Sequence, residues 1–171
     1  FQGLKANLNR PEFEGTDPIT GHSLYYNALQ GWLLNRQMLP EADLARYDFN
    51  IVKHWQTITE ERNRLEDCIL QMKYFQYLAL LFTEIYLDWY FNRKDSMLNQ
   101  LNQVMAVYNA NQRDAEQFQP YISDDLNKVA YWCATGSGKT LLLHVNVLQF
   151  LHYADKKSIP NRIILLTPNE G

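Results

Sequence analysis

One stretch of eight residues limits what this chain can become more than any other: Cys133-Ala134-Thr135-Gly136-Ser137-Gly138-Lys139-Thr140. It joins a short β-branched and aromatic run, Lys128 to Cys133, to a leucine-rich segment with helical patterning from Lys139 to about Ala154. The alternating glycines open backbone geometries that side chains forbid and let the main chain approach an anion closely. Successive N–H groups can then point inward, and a helix starting at Lys139 adds its unpaired N–H groups and its dipole to the same cavity. Lys139 supplies a mobile ammonium for the β- and γ-phosphates, and Thr140 a hydroxyl for Mg²⁺. Thr135, Gly136, Ser137, Gly138, Lys139 and Thr140 are therefore the candidate ATP-binding residues, with Lys139 and Thr140 as catalytic candidates and Thr140 as metal ligand. ATP and Mg²⁺ are the implied cofactors. The competing reading is a glycine turn carrying a surface lysine.

The run before the loop reads as a buried strand, and Arg162 to Thr167 as a second one behind the helix. Strand, helix and strand in this order predict a βαβ unit, the opening of a larger parallel α/β sheet whose remainder is missing. Residues 121–171 form this expected domain. Residues 22–120 read as a helical region, with helices predicted over Ser23–Leu39, Ile51–Met72, Lys73–Asn92 and Ser96 to about Phe118, the last a surface helix. Residues 1–21 are expected to be an extended arm, and Phe1-Gln2-Gly3 also matches the tail of a common protease-cleavage tag. The expected fold class is thus α/β, mainly helical at first and ending in a truncated sheet domain.

Composition narrows the classes further. Among 171 residues, 46% are hydrophobic and 20% charged, which excludes disordered and low-complexity chains. The formal charge of −3 leaves no global field for a polyanion, so any nucleic acid has to be gripped locally. The most apolar segment, Tyr74 to Phe91, contains Glu84 and Asp88, which would each cost about 2.5–3.5 kcal/mol in lipid. It reads as a core helix rather than a membrane span, and its aromatics as core side chains. Cys68 and Cys133, 65 positions apart, fit neither a disulfide framework nor a metal motif and suggest a reducing, cytoplasmic compartment. His144 and His152 lack a third metal ligand at suitable spacing, and Glu60, Glu61, Glu66 and Asp67 read as a solvated helix face with Arg62 and Arg64.

With Cys133 in the place of the first glycine, the loop follows the form A-x-x-G-x-G-K-[ST], and behind it stands Arg162-Ile-Ile-Leu-Leu-Thr-Pro-Asn169. Together these resemble motifs I and Ia of superfamily 2 helicases and translocases. They are most similar to the motor subunits of type I and type III restriction enzymes and their DEAD/DEAH-box relatives. The resemblance implies a RecA-like P-loop domain and an ATP-dependent motor on nucleic acid, with DNA favoured and RNA left open. It also implies partnership with a modification or specificity subunit, and contacts of Thr167 and Asn169 with the nucleic-acid backbone. Met72-Lys73-Tyr74-Phe75-Gln76-Tyr77-Leu78-Ala79 is similar to the element in which a glutamine reads adenine, which points to Gln76, with Gln117 and Gln119 as rivals. The acidic box and the arginine finger of such motors lie outside these residues, so the chain alone is expected to bind nucleotide weakly at best and not to turn it over. Two other classes stay open: a P-loop ATPase with no nucleic-acid track, and an interaction module regulated by nucleotide.

Overall fold

The computed structural model describes residues 2–34, 39–113, 116–154 and 162–164. Among the described residues six α-helices follow one another: α1 (Gln2–Leu8), α2 (Leu24–Leu34), α3 (Glu41–Glu66), α4 (Tyr74–Asn92), α5 (Lys94–Asn109) and α6 (Lys139–Tyr153). Short 3₁₀ turns occupy Pro11–Phe13 and Ser123–Asn127. The apolar α4 stands at the centre, packed on α3 and α6, which also touch each other, while α2 closes on α3. Buried positions recur every three or four residues on α3 (Leu44, Tyr47, Ile51, Trp55) and on α4 (Tyr77, Leu80, Leu81, Glu84), the spacing that puts them on one helical face.

The α/β expectation is overturned. No strand or sheet exists among the described residues, only an isolated bridge between Thr16 and Ser23, so neither a βαβ unit nor a RecA-like sheet is present there. Lys128 to Cys133 has the β-branched and aromatic composition of a strand, but that composition only describes a fit to a pleated surface, and no neighbouring strand among the described residues supplies one. The chain leading into this run is tied to α4 instead: Tyr86 donates from its hydroxyl to Leu126 O, and Tyr90 to Asn127 Oδ1 at 2.6 Å. Within the run Tyr131 OH pairs with Thr83 Oγ at 2.5 Å, and Trp132 is wholly exposed. Arg162 to Ile164 are exposed and not in a strand, while the rest of the second expected strand, with Thr167 and Asn169, lies outside the described residues.

Other boundaries shift for identifiable reasons. Residues 2–8 form a helix with Leu8 fully buried, rather than an extended arm. The helix expected over Ile51–Met72 starts ten residues earlier, after Pro40, with Glu41 and Asp43 favourably placed in its first turn. It ends at Glu66, where Asp67 turns left-handed (φ 46°) and the Asn63 side chain accepts from Leu70 N at 2.9 Å. Helix α5 stops at Asn109 because Asn109 and Asn102 use their side-chain amides to pair with the main chain of Phe118 and Tyr121 at 2.7–3.0 Å. Its asparagines thus hold the returning chain, and Val104 and Val107 remain exposed as on a surface helix.

Buried polar groups fix the helices against one another. The fully buried Asp48 carboxylate on α3 accepts from Ser23 N (2.9 Å), the Ser23 hydroxyl, Tyr77 OH (2.7 Å) and His22 Nδ1 (2.8 Å), joining the start of α2 to α3 and α4. Asp88 on α4 takes Tyr47 OH at 2.6 Å and Arg46 at 3.2 Å; burial pushes its pKa up, but these hydrogen bonds outweigh burial and hold it below the usual value. No described helix is long and apolar enough to cross a membrane, and Glu84 and Asp88 lie in the protein core.

Removing the Asp48 carboxylate leaves four donors on His22, Ser23 and Tyr77 without their acceptor, so Asp48→Ala is expected to lower the unfolding free energy by about 3 kcal/mol or more. Urea titration reads this directly. A second effect concerns pH. Burial, and then the charges of His152 and Lys53, hold His54 down at a pKa of about 4 against an ordinary 6.5. Between these values the unfolded chain binds a proton that the folded chain refuses, so stability falls as pH drops from 6.5 toward 4, by about 1–2 kcal/mol once solvent screening is allowed for. His152, also lowered by burial, acts in the same sense, whereas Glu84, raised by burial, opposes it. Urea midpoints measured across this range are expected to decline less steeply in His54→Phe than in the parent.

Candidate phosphate-binding site

The loop before α6 keeps the bend that its glycines imply. Gly136 and Gly138 both adopt positive φ, 77° and 81°, and Gly138 is the residue from which α6 starts, its carbonyl accepting from Leu142 N at 3.0 Å. Ser137 N closes the turn on Ala134 O at 3.3 Å. The first-turn N–H groups of α6 have no helical acceptor and open at the loop with the positive end of the helix dipole.

Lys139 bends back over this turn: its ammonium donates to Ala134 O at 3.0 Å and to Cys133 O at 3.4 Å. Phosphate oxygens are acceptors of the same kind and carry more charge, so the ammonium needs only to exchange partners to engage them. Thr135, Gly136, Lys139 and Thr140 are exposed, and the place where a Cβ would stand on Gly136 is open. Among the described residues no group of three His, Cys, Asp or Glu side chains could hold a metal ion by itself.

The structure brings Gln76 to this loop across 61 positions of sequence. Its Nε2 donates to Ser137 O at 3.0 Å, and its Oε1 accepts from Lys73 N at 3.0 Å or less (2.9 Å), capping the start of α4. The helices α4 and α6 run in the same direction, since Gln76 meets the start of α6 while Glu84 meets Gln149 and Tyr153 near its end. Two helix N-termini therefore converge on the loop, which adds to the positive potential there. Gln117 and Gln119 are exposed on the segment that Asn109 and Asn102 tie to α5. His144 and His152 are both exposed, and His152 Nε2 is paired with Asn50 at 3.1 Å. The pair Arg62–Glu66, at 3.1 Å, confirms a solvated charged face at the end of α3.

Two features were not legible in the sequence. The aromatics of α4 do not all enter the core: Tyr77 does, but Phe75 and Phe82 are 38% and 43% exposed. Together with Leu78 they form a second face, which lines a cavity of about 770 Å³ reaching Cys133 and Ser137 of the loop. The signal available was that α4 is apolar on every side, so that one core cannot cover all of it.

A Cβ on Gly138 would meet Gln76 Nε2 at 2.8 Å in addition to the positive-φ strain, whereas Gly136 carries the strain alone. Gly136→Ala is expected to cost about 1–2 kcal/mol of stability and Gly138→Ala more. Combining Gly138→Ala with Gln76→Ala should recover about 1 kcal/mol in a double-mutant cycle read by denaturant unfolding. Comparison with protein-family models, curated proteins and solved structures finds no match to this chain.

Proposed function

We propose that residues 133–140 bind the triphosphate of ATP together with Mg²⁺, and that the chain is the ATP-binding part of a nucleic-acid motor. The observation that carries the first half is the Lys139 ammonium turned into a bend made by two left-handed glycines at the start of α6. This arrangement needs backbone amides, a helix terminus and one cation, all of which a helical setting provides as well as a sheet does. Mg²⁺ would neutralise charge on the transferring phosphoryl group. Lys139 would stabilise the β- and γ-oxygens, and Thr140 would orient the ion. The motor half rests on the resemblance of the loop to motif I. DNA is the favoured track, and a modification or specificity subunit the favoured partner.

The test is equilibrium binding of Mg-ATP and of inorganic tripolyphosphate by calorimetry. Binding of both is expected, with Lys139→Ala weakening each by about tenfold or more, the scale of one lost charge-assisted contact. Failure of both probes to bind the parent chain overturns the reading of the loop. For the motor, DNA is expected to stimulate ATP hydrolysis by the full-length protein; hydrolysis indifferent to DNA and RNA would assign a P-loop ATPase without a track.

A further inference from the structure

Beside the loop, the cavity of about 770 Å³ has the size of a site for a small organic ligand. One wall is the outer face of α4, where Phe75, Leu78 and Phe82 recur at helical spacing; the other is the run that ends in Tyr131 and Cys133. Its lining is mostly apolar, and three of its hydroxyl groups are already spent: Tyr131 OH pairs with Thr83 Oγ, and Tyr86 OH donates to Leu126 O. One buried polar atom of the lining is not spent. Ser137 Oγ is buried without a hydrogen-bond partner, at the seam where the cavity meets the phosphate loop.

A buried hydroxyl lacking a partner is costly unless something polar reaches it. A ligand that uses the whole site therefore needs an anionic end for the loop, a polar group next to it for Ser137, and a flat apolar end for the cavity. Phosphates, sugar and base occur in that order in a nucleoside triphosphate.

We infer that the cavity is the nucleoside subsite, with Ser137 Oγ meeting the sugar and the base held by its faces against Phe75 and Phe82. This rests on the reading of the loop as a triphosphate site. Gln76 does not read the base edge here: its Oε1 serves Lys73 N and its Nε2 serves Ser137 O, so it is a positioning residue for the loop. A base recognised by its faces is sorted by stacking surface more than by hydrogen-bond pattern, so ATP and GTP should differ little and pyrimidine nucleotides should bind more weakly.

Calorimetry on the intact chain with Mg²⁺ and four probes tests this: ATP, GTP, CTP and inorganic tripolyphosphate. ATP is expected to bind about tenfold or more tightly than tripolyphosphate, GTP within about fivefold of ATP, and CTP more weakly. Phe75→Ala and Phe82→Ala should each weaken ATP about fivefold or more and leave tripolyphosphate unchanged. Ala79→Phe, which fills the cavity from α4, should do the same by a different route. Circular dichroism and thermal unfolding identify any variant that fails to fold, and the other variants then decide.

If tripolyphosphate binds and depends on Lys139, but ATP binds no more tightly, the nucleoside subsite is wrong and the loop reading stands. If neither binds, both are wrong. An ATP preference over GTP beyond about twentyfold, or one lost in Gln76→Ala while tripolyphosphate is unaffected, returns base reading to Gln76 and overturns face recognition. A concentration-dependent dimer that Phe82→Ala dissolves would assign the cavity to a second copy and overturn the inference as well.

Discussion

The Glu84 carboxylate, fully buried on the central helix, is the contact on which the arrangement of the site depends. It accepts from Gln149 Nε2 at 3.0 Å and from Tyr153 OH at 2.5 Å, both on α6, and from Asn50 on α3 at 3.4 Å. Burial raises its pKa, and the donors from Tyr153, Gln149 and Asn50 counter that shift. Gln149, itself fully buried, also donates to Leu80 O at 2.9 Å, so α6 is joined to α4 by side chain and main chain together. Because a buried carboxylate without partners would be costly, this register between α4 and α6 is strongly preferred over its neighbours. With the far ends held in this way, the near ends meet, and Gln76 lies against Gly138.

The loop therefore has two structural supports of different kinds. The local one is backbone chemistry: Gly136 and Gly138 accept positive φ, and α6 begins where the bend ends. The tertiary one is Gln76, whose Nε2 lies 2.8 Å from where a Cβ on Gly138 would stand, so any side chain there has to displace it. Gly138 thus answers two demands, conformation and space, and only the first could be anticipated from its place in the motif. The apolar outer face of α4 and the unpaired run before Cys133 form the walls beside this loop, which is why a segment composed like a strand lines a cavity here.

The helices were largely readable because their signal is local. Periodic burial on α4 and α6 appears in the sequence at the spacing the structure shows, and the charged face at the end of α3 is solvated as its composition suggests. The errors fall where a partner decides. A strand needs a neighbour for its N–H and C=O groups, and Lys128 to Cys133 has none among the described residues. The end of α3 depends on the Asn63 side chain reaching Leu70, and the end of α5 on two asparagines grasping residues nine and nineteen positions on.

What the sequence by itself determined is the local form of residues 133–140: the order of glycines and lysine before a helix dictates a bend at the start of α6 with a nearby ammonium. Those are short-range consequences of steric freedom, helix polarity and charge. Only the tertiary structure decided that the setting is helical, that Gln76 braces the loop from 61 positions away, and that the aromatics of α4 divide between a core and a cavity. Each of these depends on which surfaces meet when buried carboxylates and apolar faces are satisfied at once, and that choice is made by the whole chain rather than by any window of it.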